Sequence, residues 1–400
     1  MTELQFAAQS YIARAAPLDA QRAINMFVER SPPDAKTTVP VFMCPGLVVF
    51  SRLGTGPING MRVLDSTLYA LSGGALYAVT QFGGATLIGQ TNLGGIVSMA
   101  DNDKQIVMVD GQVGWIYQPG GLNQVTTTTA GAGATTLTLA ATGTLAMGQT
   151  IVVQLDNGTT HTTTIAGAPT GSPGALVVTL TAGLPSQATK GAIATVPSVV
   201  LGQITAPAFQ AAATVVYFDG YFVFDAAGTN TWFISGLGDG TQYSTLDRAS
   251  AQADPDHVLA VVNYHEQLLI FGGKTIEVWY DSGALKFPFQ RFDGAFVQRG
   301  LAGPLAIVRE DNTVLWLGED LIFYRLDGYR PVRVSTFGTE SAWAKYPTAV
   351  TASAFVVTIE GHKFIFLTFP SAQVTWCYDI SSGTQQPLWH ERESWGSAVV

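Results

Sequence analysis

The chain has 400 residues, of which 47% are hydrophobic, 12% charged and 43 are glycine; this profile fits many short strands joined by tight turns and argues against amphipathic helices. A net charge of −9 with no run of Lys or Arg excludes a phosphate-gripping groove, because affinity for a nucleic-acid backbone needs clustered cations. Met1-Thr2-Glu3-Leu4-Gln5 carries no basic and apolar leader pattern, and no run of roughly 18 apolar residues occurs, so neither secretion nor a membrane-spanning helix is expected and synthesis is read as cytoplasmic.

Residues 1–50 read as a lead-in. Asp19 to Glu29 is expected as a helical turn or an extended arm, followed by Cys44-Pro45-Gly46-Leu47. From there one pattern occurs six times: an apolar strand, a turn, then a strand carrying an aromatic. The pairs are Thr67–Leu71 with Leu76–Ala78, Gln105–Val109 with Trp115–Tyr117, and Tyr221–Phe224 with Trp232–Ile234. Three more follow, Gln267–Phe271 with Ile276–Tyr280, Thr313–Leu317 with Leu321–Tyr324, and Lys363–Leu367 with Thr375–Tyr378.

From the second copy onward each hairpin is preceded by a further apolar segment, as at Val258–Val262 and Pro304–Val308, which makes three or four strands per repeat. Gly220, Glu266, Asn312 and His362 mark corresponding turns at intervals of 46, 46 and 50 residues, the period of four-stranded propeller blades. Such a blade cannot bury both faces alone; stacking around an axis covers them and keeps so hydrophobic a chain soluble. The expected fold is therefore all-β, a β-propeller of six or seven blades.

Between Leu122 and Val200 the composition changes. No Phe, Tyr or Trp occurs, the charges are Asp156 and Lys190, and Thr, Ala and Gly dominate. Thr135–Leu139 and Ala175–Leu180 alternate as strands, and Leu155-Asp156-Asn157-Gly158 reads as a primed hairpin turn. A small β-sandwich or β-barrel inserted between consecutive blades is expected, giving the organisation 1–50 lead-in, 51–126 first blades, 127–200 insert and 201–400 remaining blades. The run Ser397-Ala398-Val399-Val400 ends inside a strand-like stretch, so an incomplete last blade is expected.

Chemistry-bearing patterns are sparse. Asp254-Pro255-Asp256-His257, with Asp239 and Asp247 upstream, is the best acidic cluster, but Asp-Pro-Asp before a strand is ordinary turn chemistry. Gly236-Leu237-Gly238-Asp239-Gly240 lacks the Lys-Ser/Thr of a phosphate loop, and Asp225 to Trp232 misses the serine and the Asp-Gly spacing of a sialidase box. His161, His257, His265, His362 and His390 have no second ligand at metal spacing and read as solvated or capping residues at strand ends. Cys44 and Cys377 fit no redox or metal spacing and read as buried thiols, although ring closure would make a bridge between them geometrically open. No catalytic residue, cofactor site or metal site is assigned, and the repeated Trp and Tyr positions read as core.

Several segments together resemble the tail hub, or packaged DNA stabilisation, proteins of short-tailed bacteriophages. They are Ile24-Asn25-Met26, Pro45-Gly46-Leu47, Thr231-Trp232-Phe233-Ile234-Ser235, Tyr243-Ser244 and Ala251 to Asp256, then Phe271 to Glu277, Val297 to Gly303, Tyr378 to Ser382 and Pro387-Leu388-Trp389. The Thr-rich insert has no counterpart in that pattern. The resemblance implies a non-enzymatic virion protein in a homo-oligomeric ring, a hexamer. That ring would dock between the portal or adaptor proteins and the tail needle, fibres or spikes, retaining packaged DNA with little direct grip on it. The rival readings are a glycan- or receptor-binding propeller, which an exposed aromatic cluster would favour, and a propeller glycosidase, which needs a pair of carboxylates roughly 5–10 Å apart.

Overall fold

In the computed structural model the described residues are 22–29, 40–119, 122–140, 145, 147–172, 174–196, 200–252, 254, 256–284, 286–384, 387–394 and 397–398. A short hairpin comes first, β1 (Met26–Val28) against β2 (Val41–Met43). Of the two expectations for Asp19 to Glu29, a helical turn or an extended arm, the described part, residues 22–29, takes the extended one. Asp19 to Gln21 lie outside the described residues.

Six antiparallel sheets then repeat one layout. The first is β3 (Ile58–Leu64), β4 (Thr67–Ser72), β5 (Ala75–Val79) and β6 (Ala85–Gln90). The second begins with β7 (Ser98–Asp101), β8 (Ile106–Val109) and β9 (Gly114–Gln118), and the chain then leaves it. Seven strands of the insert follow: β10 (Leu122–Val125), β11 (Thr136–Leu139), β12 (Thr150–Gln154), β13 (Thr160–Thr164), β14 (Thr170–Ser172), β15 (Ala175–Thr179) and β16 (Ile193–Val196). Only then does β17 (Val200–Gln203) return to pair with β9.

The third sheet is β18 (Val215–Phe218), β19 (Tyr221–Asp225), β20 (Thr231–Gly236) and β21 (Asp239–Ser250). The fourth is β22 (Val258–Tyr264), β23 (Gln267–Gly272), β24 (Ile276–Asp281) and β25 (Phe289–Val297). The fifth is β26 (Ile307–Glu310), β27 (Thr313–Leu317), β28 (Phe323–Asp327) and β29 (Arg330–Arg333). After helix α1 (Phe337–Trp343) the last is β30 (Ser353–Ile359), β31 (His362–Phe369), β32 (Val374–Asp379), β33 (Leu388–Ser394) and β34 (Ser397–Ala398).

The turns explain the regularity. Asp65-Ser66, Asp219-Gly220, Asp311-Asn312 and Glu360-Gly361 each place two successive residues at positive φ between the first two strands of a sheet. That is the backbone twist a two-residue hairpin needs, and Asp, Asn and Gly tolerate it best. The Leu155 to Gly158 turn differs from the sequence expectation. Its one positive φ is on Gly158, whose N–H bonds Leu155 O at 3.0 Å. The turn is thus a forward turn closed by a left-handed glycine.

By contacts the chain divides into two compact units, Met1–Phe50, Asp225–Trp232 and Ala249–Val400 forming one, Ser51–Phe224 and Phe233–Arg248 the other. In the first unit the apolar cores lie between successive sheets. Val262, Phe271 and Val278 share a cluster with Val314, Trp316 and Leu326, and Leu315, Leu317 and Phe323 share the next with Ile365, Leu367 and Trp376. In the second unit Leu64, Leu71 and Leu76 pack with Ile106, Met108 and Tyr117 of the neighbouring sheet. Face-to-face burial between consecutive sheets is the packing that the sequence period predicts.

Two expectations are corrected. The insert does not sit between consecutive sheets: it interrupts the second sheet between its third strand and β17, and it begins by β10 at Leu122, before residue 127. Repeat length alone does not separate the two placements, because an insert between two strands of one sheet lengthens the repeat as much as one between two sheets. The last sheet is not short of strands; it has four plus β34. Within the insert, sheet β10-β16-β12-β13 and sheet β11-β15-β14 share a core of Leu137, Leu139, Ile151, Val153, Ile165, Val178 and neighbours drawn from the insert alone.

Candidate functional site

The most elaborated polar constellation of the first unit joins residues 22–44 to the last sheet. Ile24 makes a parallel bridge to Glu391; Asn25 N–H donates to Glu391 O and Glu391 N–H to Ala23 O, both at 2.8 Å. The Asn25 side chain completes the docking, donating to Glu393 O at 2.7 Å and accepting from Glu393 N–H at 3.0 Å. Arg22 forks onto the buried Glu391 carboxylate, its Nε 3.0 Å from Oε1 and its Nη2 on Oε2. The hydrogen bond and charge of Glu391 hold the guanidinium pKa above its ordinary value despite partial desolvation.

At the other end His362 stands between two carboxylates. Its Nδ1 is 2.8 Å from Asp379 Oδ2 and its Nε2 is 2.9 Å from Glu29 Oε1. A neutral imidazole has one N–H, so bonding both acid groups requires the imidazolium. Burial is the largest single influence and opposes charge, but the hydrogen bonds and charges of Glu29 and Asp379 together outweigh it and the pKa is raised. The ring packs on Phe27 and Phe364, at 5.0 and 5.6 Å between centroids. Asp379 also accepts from Ser381 N–H at 2.9 Å, so its own position is fixed by the turn that follows β32.

Between these ends lie Cys44, Cys377 and His390. Cys44 N–H donates to Asn25 O at 2.8 Å, and Cys44 Sγ is 3.6 Å from His390 Nε2. Cys377 is the register partner of His390 and is buried with Phe27, Phe364 and Phe366. Both thiols are free. Burial pushes both thiol pKa values up, more than the Arg392 charge lowers them, so they are protonated and poor nucleophiles. Burial first, and then the Arg392 charge, brings His390 down to about 3. The cavity left among Ala23, Phe27, Asp379, Trp389 and His390 is no larger than a water molecule, which leaves no room for a small-molecule ligand. The arrangement is a clasp.

The other sequence candidates are structural. Asp256 accepts from Lys274 N–H at 2.6 Å and so orders the β23–β24 turn, while Asp254 O accepts from Asp256 N–H. Asp239 accepts from Thr241 N–H at 2.9 Å. Burial raises the Asp247 pKa. Gly240 is glycine for packing: a Cβ there would lie 2.8 Å from Val107 Cγ2. Pro255 lies outside the described residues. Among the described residues no three His, Cys, Asp or Glu side chains stand close enough to hold a metal. Trp232, Trp316, Trp376 and Trp389 are buried, consistent with a core role. Of the histidines read as solvated or capping residues at strand ends, His390 departs, being buried within β33, while His362 does open β31 but is bonded on both ring nitrogens. Sequence reasoning could not pair His362 with Glu29, 333 residues away.

A family model described as the bacteriophage P22 Gp10 β-propeller, of the phage stabilisation family, matches residues 147–395, well over half of the chain. The chain belongs to this family. Membership makes it a phage DNA-stabilisation β-propeller protein, and the family implies a structural, non-enzymatic component of the virion tail. The match starts inside the insert, between β11 and β12, so the later part of the insert is covered by the family pattern. Ile24-Asn25-Met26 and Pro45-Gly46-Leu47 lie outside it, whereas His362, Asp379, His390 and Glu391 lie within.

No curated protein matches the chain. Among solved structures it is similar to Hsv2p of Kluyveromyces lactis, at 9% identity over 84% of this chain and 97% of that one with TM-score 0.30. It is also similar to apo AztD from Citrobacter koseri, at 11% identity over 93% of each chain with TM-score 0.33. The phage phi92 endosialidase aligns at 11% identity over 96% of this chain and 57% of that one with TM-score 0.26. Similarities at this level add nothing to the family assignment.

Proposed function

We propose that this chain is the tail hub of a short-tailed phage: a six-bladed propeller with an inserted β-sandwich domain at residues 122–199. Copies of it form a ring, a hexamer, between the portal-adaptor complex and the tail needle and fibres or spikes. The family match over residues 147–395 carries this reading, and the six repeated sheets support the blade number. The role is geometric. Packed sheets make a stiff platform, and the clasp ties the first described strand to the last sheet with backbone bonds and half-exposed ion pairs, so that the platform resists opening under the load of packaged DNA. The −9 net charge disfavours phosphate contacts and leaves DNA free to move during ejection.

The test is to mix the purified protein with the phage portal-adaptor assembly and examine the mixture by light scattering and electron microscopy. A ring of added density at the adaptor supports the hub. Absence of binding to the complete assembly refutes it.

One observation favours a second reading, glycan or receptor binding. A bulge in β25, where Arg291 to Phe296 opposes only Trp279 to Glu277, carries the exposed Phe292 to within 6.1 Å of Tyr329 and 6.3 Å of Tyr280. Tyr329 exchanges hydrogen bonds with Gln267 at 2.8 and 3.0 Å. Exposed rings edged by an amide suit a sugar face. Saturation-transfer NMR with host-surface saccharides, on wild type and Phe292→Ala, distinguishes this reading from the hub.

A further inference from the structure

We propose that the strip Val41–Phe50 is a contact surface between copies of this chain, covered in the assembled protein by a second copy. The inference rests on the hub reading and names the surface through which the ring would form.

The strip, Val-Phe-Met-Cys-Pro-Gly-Leu-Val-Val-Phe, contains no charged residue. Its first three residues form β2, which pairs with β1 on one side and, among the described residues, has no strand on the other. Met43 is 70% exposed, Leu47 71%, Val48 92%, Val49 64% and Phe50 60%, and Val41 and Phe42 are exposed as well. Apolar side chains outside a core are ordinary when scattered singly. A run of seven within ten residues beside a strand edge that no described strand covers is not, because it templates pairing with another chain and favours aggregation unless something covers it.

The strip is also held in place. Three register pairs join β2 to β1, Cys44 N–H is bonded to Asn25 O, and Arg392 Nη2 donates to Pro45 O at 3.2 Å. A surface fixed in this way loses little conformational freedom when it is covered.

Its extent and chemistry select the occupant. Seven side chains exposed to this degree amount to roughly 700 Å² of apolar surface, about one partner's share of a standard protein interface. One additional chain therefore suffices to cover it. The strip offers a partner no charge to recognise, so selectivity has to come from shape and backbone pairing. Every copy of this chain can bring a surface to cover this uncharged, β-prone segment without requiring another species, and a head-to-tail contact, strip of one copy against a different face of the next, is the kind that closes a ring.

Light scattering on the full chain over a wide concentration range, combined with amide hydrogen exchange at both ends of that range, tests the proposal. The variant is Val48→Asp, whose side chain has no core role at 92% exposure; Val48→Ile serves as the conservative control. The expected result is concentration-dependent assembly of wild type and Val48→Ile, slower exchange of strip amides at high concentration, and association weakened about tenfold or more in Val48→Asp with the same circular dichroism.

Wild type that stays monomeric at every concentration overturns the proposal. So does a Val48→Asp protein that assembles as wild type does. Strip amides protected equally at low concentration also overturn it, since the cover would then come from within one chain. If Val48→Asp assembles normally and still docks on the portal-adaptor complex, the strip is lost and the hub stands. If wild type assembles through the strip yet ignores that complex, the strip stands and the hub is lost.

Discussion

His390 gives the sharpest quantitative expectation. It is buried in β33 beside the Phe364 ring, at 5.2 Å between centroids, with Cys44 Sγ 3.6 Å from its Nε2 and the Arg392 charge nearby. Burial and that charge take its pKa from the ordinary 6.5 to about 3. A histidine depressed in the folded state binds its proton more readily when unfolded. Its contribution to stability is therefore complete above pH 6.5 and is lost as pH falls towards 3. One proton costs about 1.4 kcal/mol per pH unit in that interval, so the loss is roughly 2 kcal/mol between pH 6.5 and 4.5 and about 4–5 kcal/mol in full. His390→Gln removes the titrating group. Denaturant midpoints of wild type and variant, compared at pH 6.5, 5.5 and 4.5, are expected to converge as pH falls, because acidification of all other groups is common to both. NMR of the imidazole provides the direct check. A His390 midpoint near 6.5, or parallel loss of stability in the two proteins, would refute the reasoning.

His362 has the opposite sign. Its pKa is raised in the fold, so the clasp's contribution is complete below pH 6.5 and declines as pH rises through the folded pKa; limited proteolysis near residues 40–50 should accelerate over that range in wild type and be insensitive to pH in His362→Gln. Gly300→Ala places a Cβ 2.2 Å from the Gly273 carbonyl carbon and 2.3 Å from Lys274 N, backbone that cannot yield, and should cost about 3 kcal/mol in equilibrium unfolding; an unchanged midpoint would show that the two segments are not so close. Gln118 and Val200 are register partners, so replacing residues 119–199 by a two-residue Asn-Gly turn should leave the remaining β-structure intact by circular dichroism. The excised segment 121–198, with fourteen buried apolar residues of its own, should fold alone, and a random-coil spectrum would count against its being a domain.

The repeat was readable because each strand buries an apolar face and each hairpin needs turn residues that accept positive φ, so that Asp65-Ser66 and Asp311-Asn312 flank runs of the right length. Strand β3 was missed before the first hairpin: its exposed Ile58, Met61 and Val63 leave no core-facing alternation to detect. Helix α1 was missed too. Seven residues are too few to show a helical period, and the one local signal is Thr336, which caps Thr339 N–H and is bonded in return.

What the sequence determined alone is what local chemistry and family pattern encode: an all-β chain of repeated hairpins, an aromatic-free insert, and membership of the phage stabilisation family. Only the tertiary structure decided that the insert splits a sheet between β9 and β17, that Glu29 and Asp379 share the His362 proton charge, that Arg22 is neutralised by Glu391, and that Val41–Phe50 lies bare on its clasp. The physical reason is common to all four. Strand pairing, ion pairing and exposure depend on which distant segments meet, and a hydrophobic pattern that repeats every few residues carries no label saying which segment lies beside which.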